Sequence, residues 1–268
     1  MSFHLGRGFI LALALAAEAA AAAPQTTGVP PLPVLTADQI ADQMQRYSRE
    51  RSEKLKHLKS TRHYSVEYKG LADLKAQMEV EYTYDAASGK SFRILSQSGS
   101  KLLCDKVLKR AIDSEKEASQ DKASTALTAA NYKFELVGVE SLAGRQAYVL
   151  KVQPVTASKF LYRGKIWVDA AEFALLKLEV EPAKNPSFWI SRTLIHQSFA
   201  KTGDFWLPAQ NRSETKVRLG GTAILTVDYG SYQIESSAAH SADDSEWCRL
   251  AAKPAISTNG TALQCGHS

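Results

Sequence analysis

From Phe160 to Ile234 the chain alternates apolar and polar residues, and only short turns interrupt it. A repeat of two sends successive side chains to opposite faces of a β-strand, a pattern that a helix does not accommodate. One strand sets Phe160, Tyr162, Ile166 and Val168 against Leu161, Arg163, Lys165, Trp167 and Asp169. Asp169-Ala170-Ala171-Glu172 turns the chain, and Ala174, Leu176, Leu178 and Val180 alternate with Lys177 and Glu179. A longer turn at 181–186 precedes a strand from Phe188 to Lys201, which turns at Thr202-Gly203-Asp204. The strand from Phe205 to Leu219 carries Pro208, which suits an edge or a bulge. Its outward face is Gln210, Arg212, Glu214, Lys216 and Arg218. Gly220-Gly221 makes a compact hairpin, and Ala223, Leu225, Val227 and Tyr229 alternate with Thr222, Thr226 and Asp228.

The same period appears earlier. Tyr64, Val66 and Tyr68 alternate with Ser65, Glu67 and Lys69, and Met78, Val80, Tyr82 and Tyr84 with Glu79, Glu81 and Thr83. A turn at Ala86-Ala87-Ser88-Gly89 leads to Phe92 and Ile94. Tyr132, Phe134 and Leu136 form another strand, and Tyr148, Leu150 and Val152 one more. About ten strands joined mostly by hairpins must twist and curl rather than lie flat. Two segments change to helical spacing. Thr36 and Gln39 form a capping box, and Ile40, Met44 and Tyr47 follow, with Leu55 and Leu58 roughly on the same stripe. After Ser100, Leu103, Val107, Leu108, Ala111 and Ile112 recur likewise. The expected fold is mainly β (α+β): a curved antiparallel half-open β-barrel, with helices at 36–58 and 101–117 as its lid or plug.

The ends read differently. Residues 1–23 have a short polar start, an apolar run from Phe9 to Ala17 and small residues to Ala23, the layout of a cleaved signal peptide. Residues 24–35 read as a linker, 36–235 as the folded domain, and 236–268 as a polar tail. An exported, periplasmic location follows, with no transmembrane segment in the mature chain. Cys104 reads as a small buried residue, and Cys248 and Cys265 could close a small loop in an oxidising compartment.

The formal charge of +5 is mild, and basic and acidic residues interleave, so no nucleic-acid partner is expected. The six histidines are scattered, which argues against a metal site. No nucleophile elbow, HExxH, P-loop or dinucleotide fingerprint occurs. Neither enzymatic activity nor a cofactor is expected.

The order of signal, helix, three strands, helical insertion and long meander resembles the outer-membrane lipoprotein-sorting family of LolA and LolB type. Arg163-Gly164-Lys165-Ile166-Trp167-Val168-Asp169 is similar to a strand and turn of that family, as are Phe188-Trp189-Ile190-Ser191-Arg192-Thr193 and Gly203-Asp204-Phe205-Trp206-Leu207-Pro208. The resemblance implies a carrier that holds the acyl chains of a lipid or lipoprotein in an apolar concave cavity. Burial of acyl chains is favourable by about 0.8 kcal/mol per CH₂. Candidate lining residues are Tyr64, Val66, Tyr82, Phe92, Tyr148, Leu150, Tyr162, Ile166, Leu176 and Leu178. Family members carry Arg-Pro before the third strand; here Gly89-Lys90-Ser91 stands there, which makes Lys90 the head-group candidate. The alternative is an envelope sensor or scaffold of the same fold that acts through a protein partner, with Trp167, Trp189 or Trp206 as interface anchors and a basic rim of Arg163, Lys165, Arg192, Arg212 and Arg218.

Overall fold

Thr36 caps the first helix. In the computed structural model, which describes residues 33–70, 72–218 and 220–237, its hydroxyl accepts from Gln39 N at 3.2 Å, and Gln39 Oε1 accepts from Thr36 N at 2.9 Å. Helix α1 (Ala37–Lys54) buries Ile40, Ala41 and Met44. It is shorter than its apolar stripe suggests. Leu55 already has extended backbone, and β1 (Leu55–Lys69) takes over. Leu58 is in phase with Ser60, Arg62, Tyr64 and Val66, so the period of two claims it for the strand.

The strands β2 (Leu74–Asp85) and β3 (Gly89–Gly99) complete a first meander. A helical excursion follows: α2 (Lys101–Leu103), a π-helical turn at Cys104–Leu108, α3 (Lys109–Gln120) and α4 (Lys122–Thr125). The second meander is β4 (Tyr132–Leu142), β5 (Arg145–Pro154), β6 (Tyr162–Asp169), β7 (Leu175–Pro182), β8 (Ile190–Thr202), β9 (Phe205–Val217) and β10 (Thr222–Tyr229). A short β11 (Gln233–Ser236), hidden in the sequence by its brevity, pairs with β1.

Every pairing is antiparallel, and the order is β3-β2-β1-β10-β9-β8-β7-β6-β5-β4. The sheet is curved and not closed, since β3 and β4 are its two free ends. The mainly-β architecture and the helical cover match the expectation. Leu103, Cys104, Leu108 and Ile112 of the excursion pack on Tyr64, Val66, Met78, Val80 and Val227. Cys104 is buried there as a small apolar residue.

Gly164 shows why the Arg163–Asp169 phrase has its form. Its φ is +147°, and a Cβ would lie 2.3 Å from Glu179 O, so only glycine lets β6 and β7 approach. Asp169 ends the phrase as a turn anchor: it accepts from Ala171 N at 3.0 Å and Glu172 N at 2.7 Å.

The segments read as signal peptide (1–23), most of the linker and nearly all of the polar tail lie outside the described residues, as do Cys248 and Cys265. Among the described residues, no helix is long and apolar enough to cross a membrane.

Candidate functional site

The ladder registers carry one face across the whole sheet. Tyr82 opposes Phe92, Tyr64 opposes both Met78 and Val227, and Leu225 opposes Ser213. The face continues through Gln197, Leu178, Ile166 and Leu150 to Leu136. Nine of the ten lining candidates lie on it: Tyr64, Val66, Tyr82, Phe92, Tyr148, Leu150, Tyr162, Ile166 and Leu178. Leu176 does not. The ladder slips between Trp167 and Val168, where Lys177 and Leu175 are the successive partners, so Leu176 turns to the opposite face. There it packs with Ala147, Val149 and Trp167.

The face is not uniformly apolar. At its centre β8 and β9 present Thr193, Gln197, Asn211, Ser213 and Thr215. These groups satisfy one another: Thr193 and Thr215 hydroxyls lie 3.1 Å apart, and Asn211 Nδ2 donates to Gln197 Oε1 at 3.0 Å. Two apolar halves therefore flank a polar band.

The half covered by the excursion hides a charge. Arg62, 4% exposed, lies 3.6 Å from the Tyr82 ring centroid and 4.8 Å from that of Tyr229. Its Nη1 donates to Glu115 Oε2 at 2.8 Å, and Lys90 Nζ reaches the other carboxylate oxygen at 3.0 Å. Burial pushes the Glu115 carboxyl up, but Arg62 and Lys90 outweigh it and hold the group below its ordinary value. Burial drives the Tyr82 phenol up to about 12. Lys90 is thus part of a clasp between β3 and α3. Arg62 was legible in principle, being in phase with Tyr64 and Val66, but its charge concealed its inward position.

An apolar groove of about 630 Å³ lies elsewhere, between α1, the 126–128 segment and the β8–β9 hairpin end. Met44, Tyr47 and Leu55 form one wall together with the polar Gln45, Ser48, Arg49, Arg51 and Ser52, Ala126–Thr128 form a second, and Phe173, Leu175, Phe199 and Phe205–Leu207 the third. Phe173 has φ +55°, a strained conformation for a large side chain, and stacks on Tyr148 with ring centroids 6.3 Å apart. Arg51 lies over the Tyr47 ring at 5.0 Å, and its buried Nε has no hydrogen-bond partner. None of the ten lining candidates borders this groove. It is assembled from segments far apart in sequence, so no local period announces it. Trp206, a candidate interface anchor, is half-buried in the wall of this groove: its indole N–H donates to Glu172 at 3.2 Å, under the Arg145 guanidinium at 5.2 Å from the ring.

Trp167, by contrast, is buried, donates to Glu140 at 2.8 Å and cannot be an exposed anchor. Trp189 is exposed. Of the basic rim, Arg163 and Arg192 both bind Glu181, and Arg212 faces Glu214 at 3.8 Å. Among the described residues, no three His, Cys, Asp or Glu side chains gather as metal ligands.

The fold is an open, curved antiparallel sheet with a helical cover and a groove beside α1. The family model described as MucB/RseB N-terminal domain matches residues 74–185, less than half of the chain. Similar solved structures include a DUF1329 family protein from Desulfovibrio piger, 13% identical, covering 78% of this chain and 99% of that one at a TM-score of 0.38. Another is a LolA superfamily protein from Nitrosomonas europaea, 13% identical, covering 75% and 94% at 0.32. A third is the MucA/MucB complex of Pseudomonas aeruginosa, 12% identical, covering 74% and 99% at 0.23. No curated protein sequence matches.

Proposed function

We propose that this chain is an exported, non-enzymatic binding protein of the cell envelope, which takes an acyl chain into the groove beside α1 and acts through a protein partner. The groove carries the reading. Its walls are mostly aliphatic and aromatic, it is open to solvent, and its volume is in the range of small-molecule sites and large enough for an acyl chain. Apolar burial would supply the affinity. Arg49 and Arg51 both line the groove and have no salt bridge among the described residues, so they are the cations that would meet an anionic head group; Lys90 is occupied by Glu115. The match of residues 74–185 to the MucB/RseB N-terminal domain supports the sensor reading, in which the chain acts through a protein partner, over simple carriage.

Displacement of a fluorescent fatty-acid probe tests the groove. Leu127→Arg should weaken probe binding at least tenfold with the melting temperature nearly unchanged, because Leu127 is only partly buried. Unchanged uptake would rule out the groove as the acyl site. Crosslinking of the exported protein in intact cells tests the partner: a discrete protein adduct is expected, and adducts to lipid alone would return the reading to a carrier.

A further inference from the structure

The turn between β7 and β8 presents the two most exposed aromatic side chains among the described residues. Phe188 is 74% and Trp189 54% exposed, and their rings meet edge to face at 5.5 Å. The turn is built rather than loose. Asn185 Nδ2 donates to the carbonyls of Ile190 at 3.1 Å and Ser191 at 3.2 Å, and Trp189 N donates to Ser187 Oγ at 3.3 Å. Arg218 N donates to Trp189 O at 2.8 Å, which ties the β9–β10 turn to the same tip. Tyr68 donates to Gly220 O at 3.0 Å and joins the end of β1 to it.

The charges at this tip that lack a salt-bridge partner among the described residues are positive. The Arg218 guanidinium lies over the Phe188 ring at 5.1 Å. Lys184 and Lys216 are exposed beside it. None of these three forms a salt bridge among the described residues, whereas Arg192, opposite Lys216 at the base of the tip, and Arg163 on β6 share Glu181 as their partner. A pair of rigidly held aromatics ringed by unneutralised cations matches the two layers of an anionic bilayer surface. Tryptophan prefers the head-group region, phenylalanine the acyl boundary, and lysine and arginine the anionic head groups.

We infer that the Phe188–Trp189 tip is a membrane-docking element that seats this end of the sheet on an anionic lipid surface. This site is separate from the acyl groove. The groove borders Phe199 and Phe205–Leu207, at the other end of the β8–β9 hairpin. At about 3.3 Å per residue, the thirteen residues of β8 set the two ends roughly 40 Å apart. The preformed turn lowers the ordering cost of insertion.

The test is co-sedimentation of the whole exported chain with vesicles of phosphatidylcholine alone or mixed with phosphatidylglycerol. Binding at least tenfold tighter to the anionic vesicles is expected, weakening with added salt. Trp189 emission should shift to shorter wavelength on binding, and Trp189→Phe should remove that shift. Phe188→Ser with Trp189→Ser should reduce binding at least tenfold, as should Lys184→Glu with Arg218→Glu, with the melting temperature unchanged in both. Leu127→Arg should bind vesicles like the parent, so failure of the groove and failure of the tip are distinguishable. The inference is overturned if the parent binds neither vesicle at low salt or if the serine variant binds as well as the parent. It is also overturned if the tip variants lose only a protein crosslink and keep vesicle binding, which would make the tip a protein-docking surface.

Discussion

Arg62 and Arg218 both lie against aromatic rings, and their surroundings are opposite. Arg62 is buried between Tyr82 and Tyr229 with Glu115 across from it. Arg218 covers Phe188 at the surface and has no carboxylate partner among the described residues. The same division runs through two further stacks. Arg145 over Trp206 is held by Asp169 and Glu172. Arg51 over Tyr47 has no salt bridge among the described residues. Where the fold needs the cation for its own packing, it supplies the counter-charge. Arg51 at the groove and Arg218 at the tip have no such counter-charge among the described residues, which makes them the candidates for an external anion. A paired arginine is an architectural element; an unpaired one is surplus to stability and available for recognition.

Removing counter-charges is the direct way to break this contrast. The largest effect is expected from Asp169→Ala. It strips Arg145 of its main partner and leaves the Ala171 and Glu172 amides without their acceptor, so urea unfolding should show a loss of about 3–5 kcal/mol.

Glu115→Gln comes next, at about 2 kcal/mol, below the fully buried case because Glu115 keeps 29% exposure. This variant also carries a pH signature. The folded Glu115 carboxyl titrates below its unfolded value of 4.5, so its contribution is complete above that value and is lost as pH falls through the folded one. The parent should therefore lose stability on that acid limb, and Glu115→Gln should lose less of it. An identical acid limb in the two proteins would show that the clasp is not ionised in the fold.

Arg51→Ala should change stability by less than about 1 kcal/mol while weakening an anionic acyl probe several-fold more than a neutral one. Arg218→Ala should be the mildest, within about 0.5 kcal/mol in unfolding, with its effect confined to vesicle binding. If either surface arginine proves as costly as Asp169, the division between structural and available cations fails.

The strands were legible because nearly all of them are half-buried, and half-burial writes a period of two into the sequence. The reading failed where a single residue breaks that period. The bulge opposite Trp167 sends Leu176 to the other face, and no residue type there marks it. Arg62 is inward because its cost is met by Glu115, a residue on α3 that only the fold brings near. The polar band at Thr193, Gln197, Asn211, Ser213 and Thr215 contradicts a wholly greasy face; these residues satisfy each other across β8 and β9, a pairing that needs the register to be seen. The faces of the tryptophans could not be read at all. Trp167 and Trp206 bury their rings by giving their indole N–H groups to Glu140 and Glu172, while Trp189 remains at the surface. The groove was out of reach for a simpler reason: its walls come from α1, the 126–128 segment and three separate strand ends.

The strand order has a consequence in time. β1 leads the first meander, yet its other neighbour is β10, near the end of the domain. Each meander can form from local hairpins, whereas the β1–β10 seam must wait until almost the whole chain is available, and such non-local pairing is slow. Along that seam Arg62 meets Tyr229, so its inward charge stays uncovered until the last strands arrive. Refolding should show the hairpins early and the seam last, with amide-exchange protection of the paired segments 62–69 and 222–229 reporting the final step. A chain exported unfolded would be most exposed to misassembly in that interval, with its hairpins formed and one edge of β1 still unpaired.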